Sequence, residues 1–118
     1  MIALIGSSCR KDYPFTEKKI LLPDSVSFHQ YIIPIFNANC NNTGCHSGAS
    51  PKAHLNLSPN VAYSQLFSKS EIDTLQPTQS VLYIELVSTS NQMPPMGRLS
   101  DYDIALVLKW IQQKAKNN

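Results

Sequence analysis

Two cysteines and a histidine fall within one short run, Cys40-Asn41-Asn42-Thr43-Gly44-Cys45-His46. Two thiols beside an imidazole can hold a metal, close a disulfide or anchor a covalently bound cofactor. Further along, Asn91-Gln92-Met93-Pro94-Pro95-Met96-Gly97 places two thioether sulfurs in a stretch stiffened by proline. A methionine is ordinarily a filler of apolar gaps, and it gains a chemical role only where a metal is held within its reach. The third cysteine, Cys9, makes the count odd, so a framework of disulfides alone leaves one thiol over.

A histidine directly after the second of two nearby cysteines is the arrangement of the c-type haem attachment, Cys-x-x-Cys-His. There both thiols add to the porphyrin vinyl groups, and the adjacent imidazole is brought to the iron from the same side. Here the spacer has four residues instead of two. The vinyl separation is fixed by the porphyrin, so the additional residues must loop out. Asn-Asn-Thr-Gly is suited to this, because Asn and Gly tolerate positive φ.

The elements that must position these groups read as helices. Ser25 or Ser27 can cap a helix whose apolar residues Phe28, Tyr31, Ile32 and Ile35 recur at helical spacing, with Pro34 expected to kink it or end its regular part. That helix delivers the chain to Cys40. Ser58-Pro59 is an N-cap followed by proline, predicting a second short helix through Val61, Ala62, Gln65 and Leu66, with a polar loop over 68–74. Ser80 opens a third, with Val81, Leu82, Ile84, Glu85 and Leu86, which ends at the polar run 88–92. Ser100 with Asp103 predicts the cap of a fourth, whose buried stripe is Ile104, Val107, Leu108 and Ile111, flanked by Trp110. No alternation competes with these periods, so the fold class is all-α, short helices joined by long loops.

Taken together, the apolar helix entering Cys40, the Cys45-His46 pair, Leu55-Asn56-Leu57, the Met93-Pro94-Pro95 loop and the last helix with Trp110-Ile111 resemble a small class I cytochrome c domain of bacterial periplasmic type. The resemblance covers 26–115 and rests chiefly on Cys45-His46 and Met93-Pro94-Pro95. It implies short helices and long loops wrapped around one haem, with thioethers at Cys40 and Cys45. It further implies His46 as the proximal iron ligand and Met93 as the distal one, with Met96 as a fallback. His54 is the alternative sixth ligand among the remaining histidines, and His29 reads as a surface residue. Phe36, Leu55, Leu57, Tyr83 and Leu99 read as core, which in a haem protein is also pocket wall. The implied activity is electron transfer to transient redox partners, without substrate chemistry.

Two rival readings stand beside it. Cys40, Cys45 and His46 with His29 or His54 could make a zinc site, although adjacent Cys45 and His46 close one tetrahedron awkwardly. A Cys40–Cys45 disulfide in an exported structural or interaction module is the other. Enzymatic readings have less to rest on. Cys-x4-Cys lacks the geometry of a redox dithiol, nothing resembles a Ser-His-Asp or paired-carboxylate arrangement, and a haem peroxidase needs the iron position that Met93 would close.

The chain has 118 residues, 42% hydrophobic and 15% charged, with eight prolines, enough for one globular domain and a tail. A formal charge of +2 without basic runs gives nothing that tracks a phosphate backbone, so nucleic acid is excluded as an expected partner. No apolar run approaches the roughly twenty residues of a membrane span. The start, Met1-Ile2-Ala3-Leu4-Ile5-Gly6-Ser7-Ser8-Cys9, resembles the end of a bacterial lipoprotein signal, in which the cysteine is lipidated. A charged leading region is missing, and Gly6 stands where a hydrophobic residue is usual. Residues 1–24 are accordingly expected to be a truncated signal remnant and tether, and 25–118 the haem domain. The expected location is the periplasm or cell envelope, with Cys9 as membrane anchor.

Overall fold

The computed structural model describes residues 20–40, 45–46, 51–90, 92–95 and 97–118. The expected lipidation of Cys9, the spacer 41–44 and Met96 lie outside these residues.

Ser27 starts the first helical segment as the sequence predicts: its Oγ accepts from the backbone N–H of Gln30 at 3.0 Å. The segment opens as a wide π turn over Phe28–Ile32 and tightens into α1, Ile33–Asn39. Proline accounts for the change of pitch. It lacks an N–H and its ring would strike a carbonyl one turn back in a regular helix. A wider turn ahead relieves that clash, and Pro34 then sits in the first turn of α1, where its missing donor costs nothing. The kink expected at Pro34 thus takes the form of a π segment, and regular helix continues beyond it to the residue before Cys40.

Three further helices follow: α2 over Ala62–Ser68, α3 over Val81–Val87 and α4 over Asp101–Gln112, with short 3-10 turns at Lys52–His54 and Pro77–Gln79. The architecture is all-α, with four short α-helices and no strand among the described residues. None of the described helices is long and apolar enough to cross a membrane.

α2 starts later than the Ser58-Pro59 signal suggests. The Ser58 carbonyl accepts from both Val61 and Ala62, so the proline closes a turn and regular helix begins only after it. α2 also runs through Ser68, into what reads as loop. At α3, Ser80 stands at the N-cap but its Oγ serves another purpose. It is almost fully buried, at 1% exposed, and accepts from the Asp73 N–H at 2.8 Å. At α4 the expected cap forms, with Ser100 Oγ accepting from Asp103 N–H at 3.1 Å and Asp101 and Asp103 lying at the positive end of the helix dipole.

The core is centred on Trp110, which is fully buried rather than flanking the α4 stripe. Leu106 is buried with it, whereas Leu108 is only half-buried. α4 is covered on more than one side, which a single-stripe reading does not anticipate. The Phe28 ring lies 4.9 Å from Trp110, and Tyr63 meets Phe28 edge-on at 5.4 Å, so the first helical segment, α2 and α4 share one aromatic cluster. Such pairs contribute roughly 0.5–1.5 kcal/mol each beyond the area they bury. Phe36, Leu55, Leu57 and Leu99 are buried as expected, and Tyr83 is half-buried against them.

The C-terminal tail closes over the start of this domain. Val26 N–H donates to Gln113 Oε1, Phe28 N–H to Asn118 Oδ1, and Ser27 Oγ to the main-chain oxygen of Asn118. Trp110 Nε1 donates to the Lys116 carbonyl at 2.9 Å, so the largest fully buried side chain also fixes the tail. Of the expected tether, Leu22 packs on the core and the Pro23 carbonyl accepts from Lys109 Nζ at 2.7 Å.

Candidate functional site

α1 ends by presenting Cys40, whose N–H bonds to the Phe36 carbonyl at 2.8 Å and whose side chain is buried at 9% exposed. The chain then returns on itself: the His46 N–H donates to the Cys40 carbonyl at 3.0 Å, bringing Cys45 and His46 back beside the helix end. A second layer of backbone bonds holds this loop against the following segment. Lys52 N–H donates to the Cys45 carbonyl, and Leu57 N–H to the His46 carbonyl at 2.7 Å. The turn between them carries Ala53 and His54 at positive φ, 54° and 58°.

The His46 ring is oriented by one contact. Its Nδ1 lies 2.9 Å from the Leu55 carbonyl oxygen. A carbonyl can only accept, so Nδ1 carries a proton, and in the neutral ring the lone pair is left on Nε2. This is the tautomer a metal-ligating histidine needs, held by the kind of outer contact that fixes such rings.

The Met-Pro-Pro loop arrives from the other end of the domain. Met93 N–H donates to the Glu85 carbonyl at 2.9 Å, which docks the loop on the end of α3. Met93 lines two adjoining cavities. One, of about 230 Å³, is bounded by Cys40, Cys45 and His46 on one side and Met93, Pro94 and Pro95 on the other, with Asn39 and Lys52 at its margin. The second, of about 140 Å³, shares Cys40, His46 and Met93 and continues inward between Leu55, Leu57, Leu82 and Leu86. Cys40, Cys45, His46 and Met93 are therefore gathered at one place. His54 lines neither cavity and is exposed, and His29 is exposed at the far end of its segment, within 3.0 Å of Asn117 Oδ1.

The electrostatics of the site are uneven. Burial pushes the Cys40 thiol up to about 11, and the neighbouring Cys45 adds to the shift, so Cys40 is a neutral thiol at physiological pH. Cys45 is half-buried, and both cysteines are free thiols. Glu71 and Glu85 line the inner cavity together. Loss of water raises the Glu71 carboxyl above the ordinary glutamate range, Glu85 raises it further, and His46 opposes the shift.

Sequence reasoning singles out Cys40, Cys45, His46 and Met93 but misses Lys52, Glu71 and Glu85, and gives the Leu55 carbonyl no role. Only the Leu55-Asn56-Leu57 segment carries a signal, since two apolar residues around a polar one mark a strand-like turn into the core. Glu71 falls in a stretch that reads as polar loop, and its approach to His46 is purely tertiary.

The donor set suits a covalently held haem. It comprises two thiols beside an imidazole with a free Nε2, a thioether in the same cavity, and aliphatic walls leading inward. Among the described residues no group of three or more His, Cys, Asp or Glu side chains is arranged to hold a metal ion by itself. No family model, curated protein or solved structure matches the chain.

Proposed function

We propose that this chain is an electron-transfer protein of the small class I cytochrome c kind, carrying one covalently attached c-type haem with His46 and Met93 as axial ligands. The observation that carries this reading is the meeting of Cys40, Cys45 and His46 with Met93 around one cavity, although the two segments lie far apart in sequence. Bound haem supplies one-electron chemistry between Fe(III) and Fe(II). Every other part of the work falls to the chain. The Cys40 and Cys45 thiols would hold the porphyrin through thioethers, and the Leu55 carbonyl, by accepting from Nδ1, would leave His46 Nε2 to the iron. The Glu85 carbonyl anchors the Met93 loop. Leu55, Leu57, Leu82 and Leu86 supply an aliphatic wall, which would limit reorganisation when the charge changes.

A thioether opposite an imidazole favours Fe(II) and raises the potential. Met93 is 37% exposed, so the cavity reaches the surface beside it and a docked protein can approach closely. Transient redox encounters bury little area, which suits rapid exchange of partners. No substrate is turned over in this scheme. The periplasm or cell envelope is the proposed location, since covalent attachment retains the cofactor there, and a lipidated Cys9 would tether the domain to the membrane.

The test is an absorption spectrum of the protein produced with a cytochrome c maturation system, before and after dithionite, with acid-acetone extraction. Sharp Soret, α and β bands that remain with the precipitated protein support covalent haem. A folded, colourless product overturns the reading, and a metal assay on that sample then distinguishes zinc from a plain disulfide.

A further inference from the structure

A single peptide group joins the candidate iron ligand to a side chain on another helix. The peptide between Leu55 and Asn56 has its carbonyl oxygen 2.9 Å from His46 Nδ1, and its N–H donates to Gln65 Oε1 at 3.1 Å. His46 and Gln65 thus engage opposite ends of one amide. Gln65 sits on α2, which is fixed by burial of Ala62 and Leu66 and by the Tyr63 hydroxyl donating to the Ala115 carbonyl at 2.8 Å. The amide has little freedom to turn away, because Asn56 Oδ1 accepts from Ser58 N–H at 2.9 Å and Leu57 N–H is bonded to the His46 carbonyl.

We propose that Gln65 is a positioning residue for His46, acting through the Leu55–Asn56 peptide. By accepting from the amide N–H it fixes the plane of the Leu55 carbonyl and polarises it, which strengthens the hydrogen bond from His46 Nδ1. Hydrogen bonds in series reinforce one another where water is excluded. A stronger bond at Nδ1 makes the imidazole a better electron donor at Nε2, as outer partners do for metal-bound histidines generally. With the haem of the proposed function in place, on which this consequence rests, Gln65 biases the couple toward Fe(III), against the pull of the thioether. The α2 helix, which contributes no ligand, becomes a determinant of potential.

The experiment compares wild type, Gln65→Leu and Gln65→Glu, each matured with haem and verified as folded by circular dichroism. Gln65→Leu removes the acceptor at similar volume. The His46 ring Nδ1–H resonance of the reduced protein is expected to move upfield, and the couple to shift threefold to tenfold toward Fe(II), at most about 59 mV for one electron. Gln65→Glu keeps an acceptor, and is expected to hold the ring resonance at or downfield of its wild-type position and to shift the couple toward Fe(III). Unchanged resonance and potential in Gln65→Leu overturn the proposal. Equal upfield movement in both variants also overturns it, since that marks a merely structural residue. If Gln65→Leu does not fold, Gln65→Glu decides alone, an upfield ring resonance overturning the proposal. A wild-type protein that attaches no haem overturns the proposed function instead. The ring resonance is then read in the metal-free protein, where an upfield shift in Gln65→Leu supports the positioning role and its absence overturns it.

Discussion

Met93 donates its backbone N–H to the carbonyl oxygen of Glu85 at 2.9 Å, so the loop that carries the thioether is held to α3 by main chain and not by the side chain itself. Replacing the Met93 side chain therefore leaves the loop docked. Met93→Ala is expected to retain covalent haem, lose the weak red iron–sulfur charge-transfer band, lower the potential and bind cyanide or carbon monoxide readily. Titration of the oxidised and reduced variant with those ligands checks it. Retention of the band in Met93→Ala and its loss in Met96→Ala would reassign the distal ligand.

The two cysteines differ in their surroundings, and their reactivity is expected to differ accordingly. With its thiol pushed up to about 11 by burial and by Cys45, Cys40 is a thiolate in roughly one molecule in a thousand at about pH 8. In protein produced without haem attachment, iodoacetamide is expected to label the half-buried Cys45 well before Cys40, with Cys40 reacting fully only after denaturation. Peptide mapping separates both from Cys9.

Glu71 links the site to pH. Its carboxyl titrates above the ordinary value of 4.5 in the folded protein, first because it is desolvated and then because Glu85 faces it. Between 4.5 and the raised value the folded state binds more protons than the unfolded one, so stability falls as pH rises through that window. Glu71→Gln removes the dependence. Its melting temperature is expected to exceed that of wild type at neutral pH and to converge with it at acidic pH, which a series of thermal melts measures. A melting difference independent of pH would contradict this assignment.

Trp110 is the largest fully buried side chain, and its indole N–H is committed to the Lys116 carbonyl. Trp110→Ala is expected to cost about 3–5 kcal/mol, a large share of the stability of a domain this size. Trp110→Phe keeps most of the aromatic contact but loses the hydrogen bond to the carbonyl of the exposed Lys116, a loss of about 0.5–1.5 kcal/mol. Urea unfolding of the three proteins orders them.

Legibility in the sequence followed the range of the interactions. Ser27 and Ser100 were readable because a cap reaches only three residues, and Cys45-His46 because adjacency is itself the signal. Trp110 reads as flanking the stripe because hydrophobic period describes one face, whereas α4 is enclosed by the first helical segment and by the tail. α2 was expected too early because Pro59 suits a turn as well as a first helical position. Glu71, Lys52 and the Leu55 carbonyl acquire their places only when separate segments meet at His46. A main-chain carbonyl has no residue identity to read.

The bonds between residues 23–29 and the stretch 109–118 span separations of 86 to 91 residues. During synthesis the first helical segment therefore emerges without the partners that terminate its N–H groups, and waits for nearly the whole domain to follow. Contacts of such high order slow the closing step. Until the tail arrives, the segment that leads into Cys40 has α2 to pack on through Phe28 and Tyr63 but lacks α4 and the tail, which leaves an interval in which the cysteines of a nascent chain are open to whatever machinery modifies them.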